Sequence, residues 1–243
     1  MRTESSNSMP VSPEQAWLSA LGELPQWDPP RLHTVVIAPH PDDETLGAGG
    51  LIATQRQRGI PVKIVAVTDG EAAYSDAAGL GEMRCTEQES ALAELGVDAR
   101  DIIRLRLPDS AVTSCEDALT ALVRPLLASA TLLIAPWLFD PHPDHEACGR
   151  AAQRLSVCEE VTLVSYVFWA WHRTKVDALT ELPLRRFELD GAVQAARSAA
   201  LSHHRSQLEW KTGSPILPPS LLKPAQRSFE TFILTSEDPS RHA

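Results

Sequence analysis

From Arg31 onward, short apolar runs rich in Val, Ile and Leu alternate with longer segments of helical period. The runs His33–Ala38, Val62–Val67, Ile102–Leu107, Leu132–Pro136 and Val161–Val167 read as strands. They are continuous rather than alternating in hydrophobicity, as strands covered on both faces are. Helical segments lie between them at about 43–58, 82–95, 115–128 and 144–155. Such alternation predicts an α/β fold, a mostly parallel, doubly wound sheet with helices on both faces. In that architecture ligands sit beyond the carboxyl ends of the strands, so the loops after strands are where chemistry is to be sought.

Beyond Trp171 the rhythm weakens. A short apolar segment at Leu184–Leu189 leads into a helix starting at Asp190, a good N-cap. Pro215, Pro218, Pro219 and Pro224 make 212–226 a loop or lid, and Ser228–Leu234 reads as a final edge strand. No internal repeat or linker divides the chain. Residues 1–30 read as a partly disordered N-terminal extension, 31–235 as a single domain and 236–243 as a C-terminal tail.

Of the 243 residues 43% are hydrophobic, enough for a sizeable core and too many for a disordered chain. Lys plus Arg number 22 against 32 Asp plus Glu, a formal charge of −10 with no dense basic run. This balance argues against binding a phosphate backbone by charge, and no nucleic-acid partner is expected. The longest nearly apolar stretch, Val161–Trp171, is well short of the ~18 residues that span a bilayer. The opening MRTESSNSMP lacks the apolar centre of a secretory leader. Cys85, Cys115, Cys148 and Cys158 form no Cys-x-x-Cys pair and read as small buried hydrophobes of a reducing compartment. The expected location is the cytoplasm; none of these features sets an oligomeric state.

Two segments carry chemistry. His40-Pro41-Asp42-Asp43-Glu44 follows the first strand, and His142-Pro143-Asp144-His145 follows the fourth. Taken singly, each has an ordinary explanation. Pro41 at a first helical position, with carboxylates complementing the helix dipole, makes a good helix start, and a His-Pro-Asp-His loop can simply be surface. Taken together they differ, because strands one and four flank the switch point of a common doubly wound order. His40, Asp43 and His145 then supply two imidazoles and one carboxylate, the donor set of a catalytic zinc with a fourth position open. Gly47, Gly49 and Gly50 do not make a dinucleotide fingerprint, since position 52 is Ile52.

These two signatures resemble those of the PIG-L/LmbE-like N-acetylglucosaminyl deacetylase family. The resemblance continues in Thr68-Asp69-Gly70-Glu71, in Arg84-x-x-Glu87 leading to Leu95-Gly96-Val97, and in Leu107-Pro108-Asp109-Ser110. It ends in the helix carrying Arg197 and His204-Arg205-Ser206-Gln207, covering about residues 33–234. It implies a Rossmann-like fold and zinc-dependent removal of an acetyl group from an N-acetylated sugar; the mixed nitrogen and oxygen donors of His40, Asp43 and His145 also suit Fe²⁺. By resemblance, His40, Asp43 and His145 are metal ligands and Asp42 is the general base that activates metal-bound water. His142 stabilises the tetrahedral intermediate or protonates the leaving amine, oriented by Asp144, and Arg84 and Asp109 hold sugar hydroxyls with Glu71 nearby. The implied partner is a small glycoconjugate.

The residues themselves support parts of this. At ~100° per residue Arg84 shares an arc with Cys85, Ala91, Leu92 and Leu95, so it is either snorkelling or reaching into a site. Arg197, His204 and Gln207 lie on an apolar helix face and read as a structural hydrogen-bond network. Trp169, Trp171 and His172 are either a cleft wall or core packing. Two positions depart from the family pattern: Asp140 stands where the mycothiol-pathway branch has tyrosine, and Arg197 replaces a lysine. The alternatives are an amidohydrolase of a non-sugar N-acyl substrate and a catalytically idle sugar-binding relative.

Overall fold

The computed structural model describes residues 10–74, 78–210 and 214–234. In chain order they form α1 (Glu14–Leu21), β1 (His33–Ala38), α2 (Asp43–Gln57), β2 (Val62–Ala66), α3 (Leu80–Glu94) and β3 (Ile102–Arg104). There follow α4 (Glu116–Val123), β4 (Thr131–Pro136), α5 (Pro143–Cys158), β5 (Thr162–Tyr166), α6 (Trp169–Arg173) and α7 (Val176–Thr180). The last elements are β6 (Leu184–Glu188), α8 (Gly191–Ser202), α9 (Arg205–Leu208) and β7 (Phe229–Leu234). The strands make one seven-stranded sheet in the order β3-β2-β1-β4-β5-β7-β6. All pairings from β3 through β5 are parallel, and the two that involve β7 are antiparallel. The chain thus winds outward in both directions from the β1–β4 boundary, the doubly wound, Rossmann-like arrangement.

Strand side chains alternate between the two faces and feed two separate cores. Val36, Ile64, Ile134 and Val164 pack with Leu51, Ile52, Leu92, Val193 and Ala200, from α2, α3 and α8. Val35, Ile37, Val65 and Leu133 pack with Leu119, Val123, Ala147, Ala151 and Leu155, from α4 and α5. Full burial of each Val, Leu or Ile contributes about 1.5–3 kcal/mol, so the β1–β4 centre is the best-anchored part of the sheet. The loops it carries inherit that rigidity. No helix among the described residues is long and apolar enough to cross a membrane.

Four differences from the expected layout have physical reasons. The last strand is not an edge: β7 lies between β5 and β6, buried throughout, and the segment at Leu184–Glu188 takes the outer position. The third strand ends at Arg104 because Arg106 adopts φ 52°, although Leu105 and Leu107 still donate to Ala66 and Val67. The N-terminal segment is packed from residue 10 on. Trp17 and Leu21 are buried, and residues 25–27 exchange backbone bonds with Arg186 along the outer strand. The expected disorder before residue 10 and the tail at 236–243 lie outside the described residues. Of the cysteines, all free, only Cys148 is buried; Cys85 and Cys115 are half-buried and Cys158 is exposed. In the proline-rich segment Leu217, Leu221 and Ala225 pack on Leu46 and Phe168.

Candidate metal centre and active site

The chain leaves β1 through a turn held by its own side chains. His40 N–H donates to Asp43 Oδ2 at 3.0 Å, Asp43 N–H returns to His40 O at 3.3 Å, and Gln207 of α9 donates to Pro41 O. Asp42 is held at φ 150°, ψ −27°, a backbone conformation L-residues rarely adopt. Strain of this kind persists only where the surroundings over-determine it, and it clusters at functional sites. The start of α5, beyond β4, brings His142, Asp144 and His145 against this turn.

His40, Asp43 and His145 each offer a ligand atom, and the three atoms lie within 4.8 Å of one another. His145 is completely buried. Its Nδ1 is 2.8 Å from Asp140 Oδ2, while its Nε2 has no hydrogen-bond partner. That nitrogen is 3.2 Å from Asp43 Oδ2, close but outside hydrogen-bond geometry. A buried, orphaned imidazole nitrogen beside a carboxylate and a second imidazole is what a metal ligand looks like before its ion is considered. His40, His142 and Asp144 form a second possible group. There Asp144 already accepts from Ser110 N–H and Val112 N–H, and no orphaned nitrogen is involved. The first set therefore fits a cation better, and its mixed nitrogen and oxygen donors suit Zn²⁺ or Fe²⁺.

The electrostatics agree. Burial works against every charge here, yet Asp43 stays well below the ordinary carboxylate range because the charge of His145, with the charge and hydrogen bond of His40, outweighs it. Burial likewise opposes the His145 cation, but Asp43 and the Asp140 hydrogen bond raise its pKa to about 9. The cup draws positive charge to its centre. His142, half-buried and facing both other histidines, moves the opposite way through burial and their charges, down to about 3, and is neutral. Asp42 rises well above the usual range through burial and the neighbouring Asp43 charge, which outweigh Arg84 and His40. A carboxylate with raised proton affinity is suited to accept a proton in catalysis.

These groups surround a cavity of about 130 Å³. Its polar side carries His40, Asp42, Asp43, Arg84, Asp109 and His142; its outer side is made by Phe168, Trp169, Ile216 and Leu217. A larger, shallow groove of about 610 Å³ between α4 and α5 has no comparable set of groups.

The other expected residues divide. Arg84 is buried, donates Nη1 to Gly70 O at 2.8 Å, and keeps Nε and Nη2 without partners. Asp109 reaches the same cavity, accepts from Ala72 N–H at 2.9 Å, and has its pKa lowered to about 2, His40 overcoming burial. Glu71 is exposed and accepts from Asp109 N–H at 2.9 Å, so it braces that loop from outside. Asp144 does not grip His142 with its carboxylate. It accepts from Ser110 and Val112 and lies 3.3 Å from His40 Nε2, and only its backbone N–H reaches His142 Nδ1. Trp169 walls the cavity, whereas Trp171 packs in the core against Trp17, and His172 is buried behind it. Arg197, His204 and Gln207 do form a buried network, with Glu230 and Arg227 O, with Thr45, and with Pro41 O respectively. Sequence reasoning missed Asp140, noted only as a departure. Its signal was an acidic residue at a strand end, five positions before a candidate ligand.

Comparison with known proteins follows the same lines. The family model for PIG-L, described as GlcNAc-PI de-N-acetylase, matches residues 35–156. A probable N-acetyl-alpha-D-glucosaminyl L-malate deacetylase 2 of Bacillus subtilis is 33% identical over 133 residues, 50% of this chain and 59% of that protein. A diacetylchitobiose deacetylase of Thermococcus kodakarensis is 34% identical over 121 residues, 46% of this chain and 45% of its own. The chain thus spans less than two thirds of the length of these curated relatives. Among solved structures, the N,N'-diacetylchitobiose deacetylase of Pyrococcus horikoshii superposes with a TM-score of 0.61 at 20% identity, covering 96% of this chain and 95% of that one. That likeness establishes the fold.

Proposed function

The chain belongs to the PIG-L family, and from that premise we propose that it is a metal-dependent deacetylase, removing the N-acetyl group of an N-acetylglucosamine-type glycoconjugate. The observation that carries the reading is the orphaned Nε2 of His145, aimed at Asp43 in the cavity that also holds Asp42. His40, Asp43 and His145 would hold the metal, Zn²⁺ or Fe²⁺. When bound, that ion supplies Lewis acidity, lowering the pKa of water and polarising an amide carbonyl.

The protein's own groups do the rest. Asp42 takes the proton of the attacking water on its carboxylate, which burial has made more basic than an ordinary aspartate. His142, neutral in the resting site, faces the amide and stabilises the oxyanion or passes a proton to the departing amine. Arg84 presents two unpartnered guanidinium edges and Asp109 an ionised carboxylate, a donor and an acceptor for neighbouring sugar hydroxyls. Phe168, Trp169, Ile216 and Leu217 exclude water from the outer side.

The test is the ratio of kcat/KM for an N-acetylglucosamine derivative over a simple acetamide. The parent should prefer the sugar strongly. Arg84→Ala and Asp109→Ala should each shrink that preference about 10- to 100-fold, the worth of a hydrogen bond to a charged group, and leave the metal in place. A parent without preference for the sugar would replace this reading with that of an amidohydrolase for non-sugar N-acyl substrates.

A further inference from the structure

We infer that Asp140 is a positioning residue that sets both functional histidines at once: it keeps the metal-facing nitrogen of His145 bare and anchors the wall against which His142 stacks. The inference rests on the reading of the cavity as a metal-dependent hydrolytic site.

Asp140 is fully buried, and nothing at its carboxylate is a lysine or arginine ion pair among the described contacts. A buried carboxylate is tolerated only when its lone pairs are satisfied. Here one oxygen, Oδ2, accepts from His145 Nδ1 at 2.8 Å and from Trp169 N–H at 3.1 Å. The other, Oδ1, accepts from Ala170 N–H at 2.7 Å. The backbone adds to this, since His142 N–H donates to Asp140 O at 2.6 Å.

An ionised carboxylate only accepts, so the ring nitrogen facing it must carry the hydrogen. When a metal is held the His145 ring is neutral, and its proton is then on Nδ1 and its lone pair on Nε2, the atom left without a protein partner. Among the described contacts, Asp140 is the group that selects that tautomer. Carboxylates placed this way behind metal-binding histidines fix ring orientation and raise ligand basicity.

The second link runs through α6. Five residues are too few for a helix to stand on its own hydrogen bonds, and its first two N–H groups both end on Asp140. Trp169 at its start lies 5.8 Å from the His142 ring at 15°, a stacked pair. Arg173 at its end lies over the Trp169 ring at 4.1 Å and donates to Pro141 O. Displacing the Asp140 carboxylate therefore moves the backing of His142 as well as the tautomer of His145.

The experiment is zinc affinity, measured by competition with a chromogenic chelator, for the parent, Asp140→Asn and Trp169→Ala. Asparagine with its oxygen in the place of Oδ1 keeps an acceptor for Ala170 N–H but turns an NH₂ donor toward Trp169 N–H and toward Nδ1, which drives the ring hydrogen onto Nε2. Asp140→Asn should bind zinc about 10- to 100-fold more weakly. Saturated with zinc, it should show reduced kcat and a KM within about threefold of the parent. Trp169→Ala should keep zinc affinity within about twofold and lose kcat, and an unchanged kcat there would overturn the His142 half. Nitrogen-15 NMR of histidine-labelled, zinc-loaded parent should find a hydrogen on Nδ1 of His145, assigned by its loss in His145→Gln. That measurement needs no Asp140 variant to fold. Parent-like zinc affinity in Asp140→Asn, or a hydrogen on Nε2 of His145, would overturn the His145 half. If zinc affinity falls as expected while the parent deacetylates no sugar, Asp140 keeps its role and the deacetylase reading is what fails.

Discussion

Asp42 and Asp43 are one peptide apart and both buried, yet they titrate in opposite directions. Asp43 faces His145 and His40, whose charges overcome burial; Asp42 faces Asp43 itself, whose charge adds to burial. The difference predicts separable losses. Asp42→Asn should retain metal close to the parent level by elemental analysis while turnover falls by about 10²–10⁴, the usual worth of a general base. Asp43→Asn should be purified largely without metal. Equal metal loss in the two variants would remove the division of labour. At this scale the convergence of His40, Asp43 and His145 was legible because they lie in two short motifs after strand ends. Asp144 was not, because its carboxylate serves backbone N–H groups 34 and 32 residues away, at Ser110 and Val112, rather than its neighbour His142. Asp140 was hidden for a similar reason: its partners lie in a ring five residues on and at a helix start beyond β5.

Among the elements, α2 shows most clearly what periodicity does not reveal. Ala48 sits at φ −147°, ψ 16° in the middle of it, although alanine is the best helix former. The break frees the N–H groups of Gly50 and Leu51, which donate to the Glu230 carboxylate at 2.6 and 2.8 Å. Arg197 lies 3.4 Å from the same carboxylate and also donates to Arg227 O. This is why β7 is interior despite Glu230 and Thr231, which as sequence suggest a wet face. Glu230 points into the molecule to cap α2. The approach is close enough that a Cβ on Gly50 would meet Leu189 at 2.5 Å, and one on Gly47 would meet the Tyr166 ring at 2.3 Å. Glu230→Ala leaves two backbone donors and the Arg197 charge buried without their acceptor. It should cost about 3–5 kcal/mol in guanidinium denaturation, as breaking a buried pair does. Glu230→Gln, which keeps one acceptor oxygen, should lose clearly less. A loss below about 1 kcal/mol for the alanine variant would show that the break in α2 does not depend on this cap. The parallel strands themselves were readable because two-sided burial leaves no polar positions to confuse the pattern. The antiparallel return carries no such signal about its neighbours.

At the scale of the whole molecule, a third apolar cluster joins the two ends of the described chain. Trp17 of α1 meets Trp171 edge-on with centroids 4.9 Å apart, and Glu14 holds Arg227 through two bonds of 2.7 and 2.9 Å. Isolated aromatic residues before Arg31, without a periodic run around them, gave no sign of this packing. His172 follows Trp171 in α6 and is 5% exposed, its ring against Phe168, its Nε2 without a hydrogen-bond partner and its carbonyl accepting from Val11 N–H. Asp140, Arg227, Arg173 and Glu14 are the charged groups that act on it. Burial first, then Arg227 and Arg173, lowers its pKa to about 4, against the partial opposition of Asp140 and Glu14. Below about pH 6.5 the unfolded chain therefore binds a proton at His172 that the folded protein refuses until about pH 4. The group's contribution to stability is whole above pH 6.5 and is lost as the pH falls through that window. Between about pH 7.5 and 4.5 the parent should lose on the order of 2 kcal/mol more unfolding free energy than His172→Leu, which cannot titrate. Denaturant curves of both proteins at the two pH values give the comparison, and it is a difference of differences in which the other carboxylates and histidines cancel. If the variant loses stability as steeply as the parent, the junction of the two described ends is not where this fold meets acid, and the sensitivity belongs to the carboxylates around His40 and His145.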